Sequence, residues 1–372
     1  MLKFKPFQAV RPPRALAGLV STRSYITYQE KDLWLKLQTN PYSLMHVLNT
    51  PAEEGGLHFS GVRKAYEEFM DMGYLQHDDE ATYYVYRKQR VGHVFTGIIG
   101  LASLQDYNEG RIKPHEATLA KRETLFAKYL DVVGFHAEPV LLTHSHSDDI
   151  ADILIDITAT RPDVEFATTD QAVHSIWPVP SELTPVIENL FAQQDNLYVA
   201  DGHHRLASSA RLGATDGVMA FVLDEDQLRV SSFHRIIREL PHHGWLKFAK
   251  ELPGPPEQQP HDSILAVHQG KWWMLDASMM TFPESHWLLE NILQPCYQVD
   301  DERHDERMRY LPGVMAPADL VDELTHEETA FILPDPYWSD VRHWADQGRT
   351  VPPKSTYIEP KLRSGLALYT WK

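Results

Sequence analysis

The spacing of apolar residues alternates between helical and strand-like patterns along most of the chain. Apolar positions three and four residues apart, bounded by glycine or proline, predict helices at Gln29–Leu37, Val62–Met72, Thr118–Leu130, Ser181–Gln194 and His204–Leu212. Short runs rich in β-branched and aromatic residues predict strands at Tyr83–Tyr86, Val94–Leu101, Pro139–Thr143, Val164–Thr168, Val173–Val179, Leu197–Ala200, Val218–Leu223, Ile264–Val267 and Trp272–Leu275. This mixture of helices and hairpins indicates an α+β fold.

Turn and loop signals divide this pattern into smaller parts. Asp106–Gly110 has the composition of a turn, Ser181 is a suitable N-cap for the helix that follows it, and Gly213 is a suitable C-cap. The segment Leu252–Pro260 is rich in proline and has loop composition. We therefore predict two domains, residues 1–250 and residues 261–372.

Composition and charge exclude several functional classes. The formal net charge of this 372-residue chain is −17, and an acidic surface repels nucleic-acid phosphates. No apolar run approaches the roughly 20 residues that a membrane-spanning helix needs. The single cysteine, Cys296, excludes an intramolecular disulfide and fits a reducing compartment. We expect a cytoplasmic protein that binds small molecules and neither nucleic acid nor membrane.

The segment Asp201-Gly202-His203-His204-Arg205 is the first candidate site. It joins a predicted apolar strand to a predicted helix, and such a junction presents free backbone N–H groups and the positive end of the helix dipole. Glycine permits close approach of a ligand to the backbone. An aspartate suits a divalent cation, and histidine and arginine donate hydrogen bonds to phosphate. These residue types suit a polyphosphate with bound Mg²⁺, although a turn in which Asp201 only caps the helix is the alternative.

Two further groups of polar residues are candidates. His115 and Glu116 precede a predicted helix that carries Arg122. Glu116 could accept the proton of an attacking hydroxyl group, or its negative charge could simply interact favourably with the helix dipole. Near the C-terminus, a loop in this acidic chain concentrates basic and hydroxyl residues that suit an anion, or that form an unpartnered basic tail: Lys354, Ser355, Thr356, Lys361 and Arg363.

A fourth group resembles a zinc site. The predicted strand Pro139–Thr143 runs into His144-Ser145-His146-Ser147-Asp148-Asp149, and two histidines on one loop followed by an acid are suitable zinc ligands. The loop is similar to the metal loop of metallo-β-lactamase-type hydrolases, but that pattern expects a histidine where Asp149 stands. With 20 histidines in the chain, a chance His-x-His is unsurprising.

Taken together, the motifs resemble those of a bacterial family known as domain of unknown function 1015 (DUF1015). The resemblance covers nearly the whole chain and is carried by Lys5-Pro6-Phe7, Arg11-Pro12, Asn40-Pro41-Tyr42-Ser43, Tyr84-Val85-Tyr86, Lys113-Pro114-His115-Glu116-Ala117-Thr118, Ala200-Asp201-Gly202-His203-His204-Arg205, Pro353-Lys354-Ser355-Thr356 and Pro360-Lys361-Leu362-Arg363-Ser364-Gly365-Leu366. The His-Glu and Asp-Gly-His-His-Arg segments are in turn similar to those of free-serine kinases of the ParB/sulfiredoxin superfamily.

The resemblance implies a fold and a set of roles. The fold would be a ParB/sulfiredoxin-like mixed core with large N-terminal, inserted and C-terminal elaborations. Glu116 would be the catalytic base, and Asp201 would act in catalysis and hold Mg²⁺. ATP or ADP would be bound by Gly202, His203, His204 and Arg205 together with the C-terminal group, which comprises Lys354, Ser355, Thr356, Lys361 and Arg363. A small hydroxylated metabolite would be bound by His115 and Arg122. His204 would also act in catalysis. The chain departs from the kinases because roughly 80 residues separate its two motifs.

Three functional hypotheses follow. The first is a kinase that transfers phosphate from ATP or ADP to free L-serine, giving O-phosphoserine. The second is a regulator that senses a nucleotide without turnover on the same kind of core. The third is a zinc-dependent hydrolase that uses His144 and His146.

Overall fold

The computed structural model describes residues 1–24, 27–50, 59–238, 243–257, 259–302, 304–315, 317–352 and 354–372. The fold is α+β, as predicted. The chain divides into two compact units. The first comprises Met1–Pro114, Thr118–Leu228 and Pro360–Lys372, and the second comprises His115–Ala117 and Arg229–Glu359. Within the described ranges, no helix is both long enough and apolar enough to cross a membrane.

The described residues form short and long strands interspersed with helices. The strands are β1 (Phe4–Lys5), β2 (Val10–Arg11), β3 (Thr22–Arg23), β4 (Gln76–His77), β5 (Tyr84–Arg90), β6 (His93–Ser103), β7 (Ile112–Lys113), β8 (Phe135–His136), β9 (Val140–His144), β10 (Val164–Ala167), β11 (Val173–Pro178), β12 (Leu197–Asp201), β13 (Gly217–Asp224), β14 (Arg229–Arg238), β15 (Ala249–Leu252), β16 (Ser263–His268), β17 (Lys271–Asp276), β18 (Met308–Pro312), β19 (Glu328–Ile332), β20 (Thr356–Glu359), β21 (Arg363–Ser364) and β22 (Tyr369–Thr370). The α-helices are α1 (Ala17–Val20), α2 (Glu30–Thr39), α3 (Met45–Leu48), α4 (Ser60–Asp71), α5 (Leu104–Asn108), α6 (Ala120–Val133), α7 (Asp148–Thr158), α8 (Thr184–Ala192), α9 (His203–Leu212), α10 (Glu284–Leu288), α11 (Gln294–Tyr297), α12 (Pro317–Asp322) and α13 (Trp338–Asp346).

A mixed sheet forms the centre of the first unit. Its strand order is β10-β11-β5-β6-β13-β9-β12-β7, and β1 pairs with β6. Strand β9 pairs parallel with β13 and antiparallel with β12. All residues of β9 and β13 are buried, which explains why both read as continuous apolar runs. Strand β12 lies between β9 and β7 in this sheet, and its last residue, Asp201, pairs with Leu141 of β9.

Most predicted elements are confirmed, with two corrections in the first unit. The predicted turn Asp106–Gly110 is wrong, because helix α5 covers most of it. The Ser103 hydroxyl caps that helix by accepting from the Asp106 N–H at 3.3 Å, and the buried Asp106 carboxylate accepts from Arg111 at 2.5 Å. Ser181 is not an α-helical N-cap, because it begins a 3₁₀ turn that precedes α8.

A second sheet organises the second unit. Its order is β15-β17-β16-β19-β14-β18, and β20 pairs with β14. The register of the β14–β20 pair sets Arg229 opposite Glu359, so the first and last residues of the longer segment of this unit are neighbours. The predicted boundary within Leu252–Pro260 does not coincide with the division at Leu228, because that segment joins two strands, β15 and β16, of this one sheet.

Candidate functional site

The Asp201 corner, residues Asp201–Arg205, connects β12 to α9. The register of β12 against β9 shifts between Val199 and Asp201, which marks a bulge at the end of the strand. Gly202 then adopts φ 94° and ψ 25°, the left-handed region that favours glycine, and serves as the N-cap of α9. Leu206, one turn into the helix, is fully buried in the core of the first unit. The local sequence thus fixes both the strand end and the helix start.

The carboxylate of Asp201 lies between two cations. Its Oδ1 accepts from Lys361 Nζ at 2.5 Å, and its Oδ2 accepts from an Arg205 terminal nitrogen at 2.9 Å. Burial by itself would raise the pKa of this carboxyl group, but the charges of Lys361 and Arg205 outweigh burial and hold the pKa far below its ordinary value. Asp201 is therefore ionised, and with one third of its side chain exposed it can meet a ligand.

The guanidinium of Arg205 is anchored from three directions. Besides Asp201, it contacts Glu138 Oε1 at 2.6 Å and donates to the carbonyl oxygen of Pro139 at 2.8 Å. The other oxygen of Glu138 accepts from the Ser364 hydroxyl at 3.0 Å. Glu138 is a residue of this site that the sequence did not reveal, because a single acid before a strand forms no motif.

The two histidines of the corner have different environments. His203 is buried, with 7% of its surface exposed. His204 is half-buried, and its Nδ1 is enclosed without a hydrogen-bond partner among the described residues. Burial lowers the pKa of His204, the charge of Arg122 on α6 lowers it further, and Glu123 partly offsets both. At neutral pH, His204 is therefore a neutral imidazole with one enclosed nitrogen.

The C-terminal group is divided between the two units. Lys361 and Arg363 belong to the first unit, whereas Lys354, Ser355 and Thr356 belong to the second. Lys361 reaches Asp201, as described above. Arg363 does not contact the Asp201 corner: its guanidinium donates to the hydroxyl and carbonyl oxygens of Ser21 at 3.3 and 2.9 Å.

The remaining members of this group have their own contacts in the second unit. Lys354 has a positive φ of 66°, and its ammonium lies 4.7 Å from the centre of the Phe233 ring. The Ser355 hydroxyl donates to the Pro352 carbonyl oxygen at 2.8 Å. Pro353, which belongs to the same motif, lies outside the described residues. The assignment of Lys354, Ser355 and Thr356 to nucleotide binding stays a prediction.

His115 and Glu116 lie in the second unit. Glu116 forms a parallel bridge with Val351, whose N–H donates to the His115 carbonyl oxygen at 2.7 Å. The His115 ring is buried and its Nε2 lies 3.1 Å from the Thr356 hydroxyl. Glu116 precedes the first residue of α6 by four positions, and the acid in the first turn of that helix is Glu123. Fixed strand-like backbone, not a helix dipole, therefore positions Glu116.

The two histidines of the His-x-His loop, His144 and His146, lie in different environments. His144 is buried, and its Nδ1 faces the Ser145 carbonyl oxygen at 2.7 Å. His146 is exposed and lies 2.7 Å from Asp224 and 3.8 Å from Asp226, a group whose ligand atoms could hold a metal ion. Among the described residues, His144 belongs to no such group. The chelating pair that a metallo-hydrolase loop requires is therefore not formed by His144 and His146.

Three comparisons with known proteins place these observations in context. Residues 4–297 match the model of a family described as protein of unknown function (DUF1015). The search of the curated proteins found no match.

The solved structures include several that resemble this chain weakly. A mutant of a free serine kinase in complex with ADP is 15% identical, with 73% of this chain and 91% of that chain covered and a TM-score of 0.42. C-terminally truncated SbnI from Staphylococcus aureus is 14% identical, with 70% and 82% covered and a TM-score of 0.41. A conserved hypothetical protein from Pyrococcus furiosus is 14% identical, with 72% and 94% covered and a TM-score of 0.37. Likeness at this level does not transfer an activity.

Proposed function

This chain belongs to the DUF1015 family, and we propose that it is a cytoplasmic small-molecule kinase that transfers phosphate from ATP or ADP to a metabolite hydroxyl group. The acceptor that the sequence motifs favour is free L-serine, which would give O-phosphoserine. We further propose that the first unit is a ParB/sulfiredoxin-like core carrying the nucleotide site.

The observation that carries this proposal is the ionised carboxylate of Asp201 at the start of α9. The Asp201 corner, together with Lys361, places a carboxylate, two cationic side chains and the positive end of a ten-residue helix at one point. Free N–H groups and the helix dipole stabilise a bound phosphate. Phosphoryl transfer needs charge neutralisation and positioning more than covalent chemistry, and these groups supply both.

The residues of the corner also fit a magnesium ion that arrives with a nucleotide. Mg²⁺ in kinases is held by one or two carboxylates together with substrate phosphates, and Asp201 is ionised. Both oxygens of Asp201 accept hydrogen bonds from cationic side chains. Binding would therefore require Lys361 to leave Oδ1 and contact phosphate instead. The ion would neutralise phosphate charge during transfer.

Glu116 is the proposed base. The acceptor oxygen would form a bond to the terminal phosphorus of the nucleotide while the bond from that phosphorus to the leaving phosphate oxygen breaks. The proton of the acceptor hydroxyl would pass to the Glu116 carboxylate. This role rests on the motif resemblance and on the rigid strand-like backbone around Glu116; His115 and Arg122 are proposed to bind the acceptor.

An activity assay with two matched variants tests the proposal. Purified protein is incubated with Mg²⁺, L-serine and either ATP or ADP, and O-phosphoserine is measured by mass spectrometry. Asp201→Asn should abolish turnover while thermal unfolding shows that the protein remains folded. The control is Asp195→Asn, which changes an exposed acid just before β12 and should leave turnover unchanged. Glu116→Gln should lower kcat by roughly 10²- to 10⁴-fold, the usual contribution of a general base.

Two outcomes would redirect the proposal. If neither nucleotide yields product across a screen of metals and pH, serine is not the acceptor. If the parent protein binds nucleotide without turnover and Glu116→Gln binds it equally well, the nucleotide-sensing regulator is the better description.

A further inference from the structure

The exposed histidine of the His-x-His loop, His146, faces carboxylates on both sides of its ring. Its Nδ1 lies 2.7 Å from an oxygen of Asp224 and 3.8 Å from an oxygen of Asp226, and its Nε2 lies 3.1 Å from an oxygen of Asp148. One ligand atom from each of His146, Asp224 and Asp226, here called the His146 group, lies within 4.8 Å of the other two. An imidazole and two carboxylates thus converge on one point.

The sheet of the first unit brings the members of the His146 group together. Strands β9 and β13 pair in parallel so that their last residues, His144 and Asp224, are opposite each other. His146 follows in the loop after β9, and Asp226 follows in the 3₁₀ turn after β13. The carboxyl ends of both strands therefore meet at the same edge of the sheet, and backbone pairing sets the convergence.

The backbone also orients the carboxylate of Asp224. Its Oδ1 accepts from the N–H of Asp226 at 2.9 Å, which directs Oδ2 towards His146. Only 12% of the Asp224 side chain is exposed, whereas Asp226 and Asp148 are largely exposed. Within the described ranges, no lysine or arginine forms an ion pair with these three carboxylates. This site therefore differs from Asp201, whose carboxylate lies between two cationic side chains.

The contacts of the His146 ring are those of a metal-binding histidine. Such a histidine usually donates its second ring N–H to a carboxylate, and Asp148 is placed to accept from Nε2. In that tautomer, the lone pair of Nδ1 faces an oxygen of Asp224 at 2.7 Å. Two lone pairs at this distance repel each other unless a cation lies between them. Because Asp226 adds a second carboxylate on the Nδ1 side, the charge of a divalent ion is balanced there.

The spacing and the donor types favour zinc over magnesium or calcium. Bonds of about 2.0–2.2 Å at tetrahedral angles separate neighbouring zinc ligands by about 3.3 Å, which lies between the two distances measured from His146 Nδ1. Imidazole suits zinc and related transition metals, whereas magnesium and calcium prefer oxygen ligands. Three protein ligands at an exposed site leave the fourth position to water.

We propose that His146, Asp224 and Asp226 bind a divalent transition-metal ion such as Zn²⁺, and that Asp148 orients the imidazole. The site is separate from the Asp201 corner, because Asp201 is opposite Leu141 near the start of β9, whereas His146 follows the end of that strand. The proposal goes beyond the kinase function, whose Mg²⁺ arrives with the nucleotide.

The test is isothermal titration calorimetry of the full chain with ZnCl₂, after treatment with a chelator and without nucleotide or a polyhistidine tag. We expect one ion per chain. His146→Gln and Asp224→Asn should each weaken Zn²⁺ binding by more than the roughly 10- to 100-fold that the loss of an outer-shell partner costs, and Asp148→Asn should weaken it about tenfold. Zn²⁺ should also raise the unfolding temperature of the parent but not of His146→Gln, because it binds only the folded state.

Two matched controls separate this site from other places where zinc could bind. His93→Gln removes an exposed histidine at the start of β6, and Asp201→Asn changes the carboxylate of the Asp201 corner. Both variants should keep the Zn²⁺ affinity of the parent. Circular dichroism checks that each variant is folded, and the exposed Asp226→Asn serves as a further ligand variant should Asp224→Asn fail to fold.

Several outcomes would overturn the proposal. No Zn²⁺ binding by the parent at submillimolar concentration, or unchanged affinity in His146→Gln, would show that a proton and not a metal ion lies between His146 and Asp224. Equal affinity for Zn²⁺ and Mg²⁺ would contradict an imidazole ligand. Loss of binding in Asp201→Asn would place the ion at the Asp201 corner. O-phosphoserine formation is measured separately, so neither proposal depends on the other.

Discussion

Gly202→Ala is the sharpest single perturbation of the Asp201 corner. At φ 94° a residue with a side chain is strained, which costs about 1–2 kcal/mol. The added Cβ would also lie 2.9 Å from a terminal nitrogen of Arg205. The guanidinium would have to move away from Asp201, Glu138 or the Pro139 carbonyl oxygen, and weakening hydrogen bonds of this charged kind costs about 1–2 kcal/mol more. We expect the free energy of unfolding to fall by about 2–4 kcal/mol in total.

Gly213→Ala provides the matched control at the other end of α9. Gly213 also has a positive φ, 63°, but an added Cβ would meet nothing within 4 Å. Only backbone strain is therefore introduced, and we expect a loss of about 1 kcal/mol. Urea denaturation followed by circular dichroism measures both variants.

A double-mutant cycle with Arg205→Ala separates strain from displacement of the guanidinium. Once the guanidinium is absent, the added methyl group has nothing to displace, so Gly202→Ala should cost about 1 kcal/mol less in the Arg205→Ala background than in the parent. An equal cost in both backgrounds would refute the claim that Arg205 is locked over Gly202. The same variant should also weaken nucleotide binding, since its Cβ occupies the approach to the backbone.

Two further predictions address the C-terminal group and the second unit. Lys354→Ala and Arg363→Ala should each weaken binding of an anionic ligand by about 1–3 kcal/mol, measured by titration calorimetry, and unchanged affinity in both would place the ligand elsewhere. Glu284→Gln tests a pH dependence: burial raises the pKa of the Glu284 carboxyl group to about 7, so the folded state holds a proton that the unfolded state loses above about pH 4.5. That contribution to stability is lost as pH rises towards 7 and beyond. The variant should therefore be more stable than the parent by roughly 1–3 kcal/mol at pH 8 and nearly equal to it at pH 5, and a difference independent of pH would contradict this explanation.

The sequence predicted those elements whose signal is local. Buried strands such as β9 and β13 read as continuous apolar runs, and Gly213 ends α9 as its composition indicates. Helix α5 was mistaken for a turn because Asp106 and Gly110 favour turns. The contacts that make it helical come from Ser103, Arg111 and the N–H of Lys3, and the contact with Lys3 is far away in the sequence.

In the candidate site, too, the sequence revealed the local motif but not the contacts that come from distant parts of the chain. The Asp-Gly-His-His-Arg segment was recognisable because its residues are consecutive and lie between two apolar elements. Two partners from distant parts of the chain set its electrostatics. Lys361 was recognised as part of the C-terminal group but not as a contact of Asp201, and Glu138 belongs to no motif.

The pairing of Arg229 with Glu359 gives the second unit the topology of an insertion into the first. The ends of this long segment are neighbouring residues of a single strand pair, and the entropic cost of closing a loop between them grows only slowly with the number of residues in it. Replacing Arg229–Glu359 with a short hairpin linker should thus be geometrically permitted, and Pro360–Lys372 would still return to β3 and β8. Homologous chains of very different length could in this way carry the same Asp201 corner.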